Sequence, residues 1–217
     1  MSKLRAIILA GGEGLRIGQY KPLVTFLGKP LIFWVYSTLR KLFPVVYLSF
    51  KTEVQKKSLE KLLKFYKVNS KSIEFIPDIR PELRGPISGI LSAMHFFPSE
   101  DSLLVLAVDQ PLIQTDLLLF LQEISFYYPK CILVCQKEEH IEPFPGIYPC
   151  SLKKYLEEFI KVSEKKSLYR MFQFFLQKKS LLFLKDWNKV DLNGKSFINI
   201  NTLEQLKELE KKCFGLE

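Results

Sequence analysis

The segment Ala6-Ile7-Ile8-Leu9-Ala10-Gly11-Gly12-Glu13-Gly14-Leu15-Arg16-Ile17-Gly18-Gln19-Tyr20-Lys21-Pro22 changes character at Ala10, where an apolar run gives way to a glycine-rich, cationic loop. An apolar run closed by glycines is the pattern of a strand buried on both faces, as in a parallel sheet. The chain downstream repeats the alternation. Pro30 opens an apolar helix to about Phe43, consistent with proline in a first helical turn. Val45 to Phe50 reads as the second strand and Thr52 to Tyr66 as a helix with Leu59, Leu62, Leu63 and Tyr66 on one face. Ser72–Ile76, Ser102–Val108 and Cys131–Cys135 read as strands, with helices predicted over Ile87–Phe97 and Gln114–Tyr127. Repeated strand–helix units predict an α/β fold: a Rossmann-like, mainly parallel sheet with helices on both faces.

After residue 140 the pattern loosens. A strand over Phe144–Tyr148, helices over Cys150–Val162 and Leu168–Leu176, and a short strand over Ser180–Leu184 are expected. Thr202 with Gln205 forms a capping-box pattern, and Leu203, Leu206 and Leu209 carry helical spacing to Lys212. The 217 residues show no repeat or linker and are expected to form one domain over 1–217.

The net charge of +9 suits a polyanionic ligand such as a triphosphate. It also suits nucleic acid, but Lys56, Lys57, Lys61 and Lys64, with Lys67 and Lys71 beyond them, lack interleaved aromatics and read as a solvated helix face. No nucleic acid partner is therefore expected. No apolar run approaches the ~18 residues of a membrane span. The apolar stretch after Lys3 and Arg5 is too short for a secretory signal, so no membrane is expected and the location is read as cytoplasmic. Cys131, Cys135, Cys150 and Cys213 form no CxxC pair and are expected to be buried free thiols. A strand would point Cys131 and Cys135 to the same face.

The loop after the first strand is the leading site candidate, since ligands in open α/β sheets bind beyond the C-terminal strand ends. Gly11, Gly12 and Gly14 let backbone N–H groups approach a phosphate. Arg16 offers a bidentate contact to the same anion and Lys21 a compact charge. A Walker loop is excluded because no Lys follows Gly18, and Gly12, Gly14 and Gly18 give GxGxxxG rather than the dinucleotide spacing.

Two acids end predicted strands. Asp109, in Val108-Asp109-Gln110-Pro111, is placed to bind Mg²⁺, a hard ion that bridges phosphates. The alternative, a helix cap, fits less well because the next helix is predicted to start nearer Gln114. Asp78 precedes Gly85-Pro86-Ile87-Ser88-Gly89, whose glycines could line a ligand. It could equally pair with Arg80 or Arg84. His95, in an apolar helix, reads as a packed residue, and there is no GxSxG or HExxH. Nucleotidyl transfer needs positioning and charge neutralisation more than covalent help, and these residues supply both.

LAGGxGxR…K after an N-terminal strand resembles the nucleotidyltransferases that build molybdopterin dinucleotides, isoprenoid precursors and nucleotide sugars. The resemblance implies the nucleotide-diphospho-sugar transferase fold type. It puts Arg16 and Lys21 on the triphosphate and Leu9, Ala10, Gly11 and Gly12 near base and ribose. Phe75-Ile76-Pro77-Asp78 with Gly85-Pro86-Ile87-Ser88-Gly89-Ile90, Asp109-Gln110-Pro111, Pro145-Gly146-Ile147-Tyr148-Pro149, Ser167-Leu168-Tyr169-Arg170 and Phe197-Ile198-Asn199-Ile200-Asn201-Thr202 narrow it to the molybdenum cofactor guanylyltransferases.

That family joins GTP to the phosphate of molybdopterin, with release of pyrophosphate. The resemblance implies Arg16, Lys21 and Asp109 as catalytic residues and Mg²⁺ on Asp109. It places Asp78 near the guanine nucleotide, and Asn199 and Asn201 on the acceptor side. The two asparagines also fit as turn residues before the Thr202 cap. GTP and molybdopterin are the implied small-molecule partners, with molybdopterin-handling proteins and acceptor molybdoenzymes as protein partners. Two positions depart from the family pattern. Tyr20 stands where Asp is usual before the loop lysine, and Ser49-Phe50-Lys51-Thr52 occupies a region that often holds Asn. Cytidylyl transfer to molybdopterin or to a methylerythritol or sugar phosphate is thus the alternative reaction. A non-catalytic nucleotide-binding adaptor is the alternative class, disfavoured by retention of Lys21 and Asp109.

Overall fold

Strands β1 (Leu4–Leu9), β4 (Val46–Phe50), β5 (Ile73–Pro77), β6 (Ser102–Ala107), β7 (Ile132–Lys137), β8 (His140–Pro149) and β9 (Leu181–Leu184) form one sheet in the order β5-β4-β1-β6-β8-β7-β9. This is seen in a computed structural model that describes residues 3–12, 14 and 17–215. A two-stranded hairpin of β2 (Thr25–Phe26) and β3 (Lys29–Pro30) lies outside the sheet. The helices are α1 (Leu31–Leu39), α2 (Glu53–Phe65), α3 (Ile87–Phe96), α4 (Thr115–Tyr127), α5 (Lys153–Val162), α6 (Leu168–Gln177) and α7 (Leu203–Phe214).

β1 pairs in parallel with β4 and β6, β4 with β5, and β7 with β9, while β8 runs antiparallel to both of its neighbours. The expected mainly parallel sheet is therefore present with one reversed strand. The reversal has a local cause. Lys137 pairs with His140, leaving a two-residue turn at Glu138-Glu139, too short for a parallel crossover.

Strand alternation sends side chains to two cores. Ala6, Ile8, Leu104 and Leu106 face α1, α2, α4 and α7. Ile7, Leu103 and Val105 face α3, α5 and α6. All of these strand residues are fully buried, so truncating either isoleucine to Ala would cost about 2–5 kcal/mol. At the N-terminal end of the sheet, Asp101 ties β1 to β6 by accepting from Lys3 N at 2.9 Å and Arg5 Nε at 2.8 Å. None of the described helices is long and apolar enough to cross a membrane.

Several expectations change in detail. The first helix stops at Leu39, and the Arg40 guanidinium donates to the Phe43 carbonyl in the turn beyond it. Cys150–Leu152 is a 3₁₀ turn before α5. Thr202 caps α7, but the Gln205 side chain accepts from Asn201 N, one residue short of a reciprocal box. The full capping box is at Thr52 and Gln55. Cys135 and Cys150 are buried, Cys131 is half-buried and Cys213 is exposed, because it lies on the outer side of a terminal helix. His95 is not packed in a core. It pairs at 2.7 Å with Glu157 of α5.

Candidate active site

The ends of β1, β4, β5 and β6 bring Ala10–Gly12, Lys51, Asp78 and Asp109 to one edge of the sheet, as parallel pairing requires. Lys21 is carried there by a 3₁₀ turn, Lys21–Leu23, with Pro22 fixing its backbone. Lys21 Nζ donates to Asp109 Oδ2 at 2.6 Å and to Asn201 Oδ1 at 2.8 Å. The Lys21 and Asp109 side chains are 15% and 16% exposed, so the pair is largely desolvated but open to a ligand. Ile200 N–H donates to the Asp109 carbonyl at 2.9 Å, which fastens the segment before α7 to the end of β6. Asp109 caps no helix, because the N-cap of α4 is Gln114.

The glycine loop is held by named contacts. Gly14 has φ +64°, and a Cβ there would lie 2.0 Å from the Gln19 carbonyl, so only glycine closes the turn. Gly12 is exposed, with open space at its missing Cβ, and its backbone is free to meet a ligand. Tyr20 Oη donates to the Ala10 carbonyl at 2.6 Å. Burial raises the Tyr20 hydroxyl pKa, so it stays a donor at neutral pH. Gln55 Nε2 donates to the Gly11 carbonyl at 3.2 Å, while its Oε1 accepts from Lys51 N at 2.8 Å. Arg16 lies outside the described residues.

Asp78 sits in a different setting. Its Oδ2 lies 3.7 Å from where a Cβ on Gly11 would be, and its Oδ1 lies 3.6 Å from that of Gly89. A Cβ on Gly89 would meet Leu9 Cδ2 at 2.8 Å and Ser49 Oγ at 3.0 Å, so glycine lets the first turn of α3 pack closely there. Asp78 Oδ1 is buried and has no hydrogen-bond partner among the described residues. Burial pushes the Asp78 carboxyl up to about 6, against the opposing pull of the Lys51 charge. The Ser88 hydroxyl gives its own proton to the Arg80 carbonyl at 2.7 Å, so it leaves Asp78 short of donors. Arg80 pairs with Glu82, so the Arg80 reading of Asp78 fails.

The structure thus brings Lys21, Asp109 and Asn201 together, with Leu9 to Gly12 and Asp78 along the same edge. Asn201 belongs to the lysine–carboxylate group. Asn199 directs its amide to the Phe197 carbonyl at 2.9 Å, within its own turn. Among the described residues no group of three or more His, Cys, Asp or Glu is arranged to hold a metal. The sequence reading missed Gln55, Lys51 and the Tyr20 strut as loop supports. The Thr-x-x-Gln pattern at 52–55 was the available signal for the first of these.

The MobA-like NTP transferase domain matches residues 6–180, from β1 to the residue before β9. The chain belongs to the MobA-like NTP transferase family. It is 29% identical over 214 residues to a probable molybdenum cofactor guanylyltransferase of Clostridium perfringens, covering 98% of both chains. It is 26% identical over 215 residues to the molybdenum cofactor guanylyltransferase of Campylobacter jejuni, again covering 98% of each. Molybdopterin-guanine dinucleotide biosynthesis protein A of Archaeoglobus fulgidus has the same fold, with TM-score 0.75, 30% identity and coverage of 97% of this chain and 99% of that one. A 4-diphosphocytidyl-2C-methyl-D-erythritol synthase of Anaerococcus prevotii shares the fold at TM-score 0.68, covering 98% and 96% of the two chains, but only 14% identity. In this MobA-like chain Tyr20 supplies a neutral strut to the loop backbone beside the lysine, where a carboxylate would instead add charge. Lys51 lays its stem against Gly11 and donates from Nζ to the Leu83 carbonyl at 3.0 Å.

Proposed function

We propose that this chain, acting as one domain over residues 1–217, transfers GMP from GTP to the phosphate of molybdopterin. The observation that carries the reading is the Lys21–Asp109–Asn201 group beside a glycine loop in a chain of this family. An acceptor phosphate oxygen attacks the α-phosphorus of GTP, the bond to the β-phosphate oxygen breaks, and pyrophosphate leaves. The loop backbone around Gly12 holds phosphate oxygens, and Lys21 and Arg16 offset charge that builds on the leaving pyrophosphate. Asn201 keeps Lys21 aimed, since its Oδ1 accepts from Nζ whatever else the ammonium touches.

Asp109 would hold Mg²⁺. One protein carboxylate plus substrate phosphates is an ordinary set for that ion, and a single, partly open carboxylate fits it. Bound there, the ion supplies charge neutralisation across the phosphates. Asp78 supports guanine as the base. Its partnerless oxygen accepts hydrogen bonds, and guanine presents adjacent ring and amino N–H donors, which cytosine lacks. A buried acceptor left unpaired by the wrong base gives discrimination on the order of 10⁴. We read the reaction as cytoplasmic, with molybdopterin-handling proteins and molybdoenzymes as the protein partners on either side of it.

The test is turnover of each of the four nucleoside triphosphates with Mg²⁺ and molybdopterin, followed by pyrophosphate release. GTP is expected to be used over CTP and ATP. A preference for CTP would move the chain to the cytidylyl transfers, and activity only with a sugar or methylerythritol phosphate would overturn the acceptor.

A further inference from the structure

Gln110 places a buried amide in the residue after Asp109. It is 2% exposed and donates from Nε2 to the Phe144 carbonyl at 2.9 Å. Only the NH₂ end of the amide can face a carbonyl, so this contact fixes which way round it lies. Its Oε1 is then buried with no partner among the described residues. The contact falls where the regular sheet has stopped. The β6–β8 ladder ends at Val105 opposite Gly146. On the far side of β8, one step along β7 from Val134 to Cys135 spans four along β8, from Gly146 to Glu142. Pro143, Phe144 and Pro145 therefore form a bulge, a device that re-aims side chains where a ladder ends. Two side chains pin it: Gln110 at Phe144, and the Tyr148 hydroxyl, which donates to the Pro143 carbonyl at 2.8 Å.

Taking Asp109 as the metal carboxylate, the reading on which this inference rests, we propose that Gln110 is its positioning residue. The segment that follows β6 is gripped from two sides. Ile200 N–H holds the Asp109 carbonyl at 2.9 Å, and the Gln110 side chain ties the next residue to β8. Held at both points, the peptide between Asp109 and Gln110 is fixed, and the direction of the Asp109 carboxylate follows from it. Without Gln110 the segment is held on one side only, while Lys21 still pulls on Oδ2 from 2.6 Å. Energetics separate this role from a packing one. A buried acceptor left unpaired costs about as much as one made hydrogen bond returns, so Gln110 adds little net stability. What the amide supplies is direction. Replacing a residue that orients a metal ligand typically weakens metal binding by about 10–100-fold.

Mn²⁺ is the probe, titrated into the full chain with a GTP analogue bridged by methylene between its α- and β-phosphates, and free Mn²⁺ is followed by electron paramagnetic resonance. Gln110→Met keeps the length of the side chain and loses the donor. It is expected to bind Mn²⁺ about tenfold more weakly, with metal-free affinity for the analogue within about twofold and the denaturant midpoint unchanged. Gln110→Leu, a second variant without the donor, should show the same shift. In turnover, Gln110→Met should need about tenfold more Mg²⁺ for half-maximal rate, with KM for GTP at saturating Mg²⁺ within about twofold. Tyr148→Phe unpins the same bulge without touching the Asp109 segment, so its Mn²⁺ affinity should stay within about twofold of wild type. Wild-type Mn²⁺ affinity in folded Gln110→Met, or equal weakening in Tyr148→Phe, would overturn the proposal. Asp109→Asn tells the two levels apart. If it binds Mn²⁺ as wild type does, the metal reading of Asp109 fails; if it loses Mn²⁺ while Gln110→Met does not, only the role of Gln110 fails.

Discussion

Asp109 and Asp78 both follow the C-terminal ends of parallel strands, yet their surroundings give them opposite characters. Asp109 is held by a lysine at 2.6 Å and backed by Asn201 through that lysine. Asp78 is walled by Gly11 and Gly89 and leaves one oxygen without a partner among the described residues. A carboxylate already facing an ammonium lies where cations and phosphates meet. A carboxylate short of donors is finished by a ligand that brings N–H groups. The same side chain at equivalent strand ends is thus suited to charge at one place and to hydrogen-bond recognition at the other.

The strongest way to break the contrast is Asp109→Asn. The amide keeps the shape and removes the charge, so turnover should fall on the order of a thousandfold or more, with circular dichroism unchanged. Near-normal turnover with Mg²⁺ would remove Asp109 from the phosphate chemistry. Lys21→Ala should lower kcat/KM for GTP by tens to hundreds of fold, about 2–3 kcal/mol. Lys64→Ala, on the exposed face of α2, should stay within about twofold. Equal small effects from both would misplace the phosphate site.

Asp78→Asn sharpens the other side. GTP affinity measured by calorimetry should fall about tenfold. The fold should respond in the opposite sense. With its carboxyl raised from 3.8 to about 6, Asp78 holds its proton to higher pH when folded than when unfolded. Stability from this group is therefore lost as pH rises from about 4 to about 6 and stays lost above that. Asp78→Asn should raise stability near pH 7.5 by about 1–2 kcal/mol, allowing for screening, and change nothing near pH 3.5. A denaturant series at both pH values checks it, and equal effects at the two would exclude titration of Asp78 as the cause. The smallest effect is expected from Tyr20→Phe. Losing the bond to the Ala10 carbonyl costs about 1 kcal/mol, so KM for GTP should rise roughly fivefold with kcat little changed. A fall in kcat alone would show that the hydroxyl acts on the chemistry rather than on the loop.

The regular half of the chain was legible because its cues are local. The apolar run before Gly11 marked β1, and the helix starts at Pro30, Thr52 and Ile87 fell within a residue or so of the observed ones. Asp109 could be singled out from its place after a buried strand. The second half resisted for a physical reason: whether Phe144–Tyr148 runs parallel or antiparallel depends on a two-residue turn and on which neighbours it meets. The little hairpin of Thr25–Phe26 and Lys29–Pro30 was missed because two residues are too few to show a period.

By itself the sequence determined the strand–helix alternation, the glycine loop with its two cations, and the two acids at strand ends. These follow from residue spacing and backbone freedom, which act over a few neighbours. Only the tertiary structure decided that Asn201, 180 residues away, shares Lys21 with Asp109, while Asn199 turns back on its own loop. It likewise left Asp78 Oδ1 without a partner among the described residues, directing Arg80 to Glu82 and the Ser88 proton to a backbone carbonyl. Desolvation and pairing depend on which distant segments close over a side chain, and that is settled by the packing of the whole sheet.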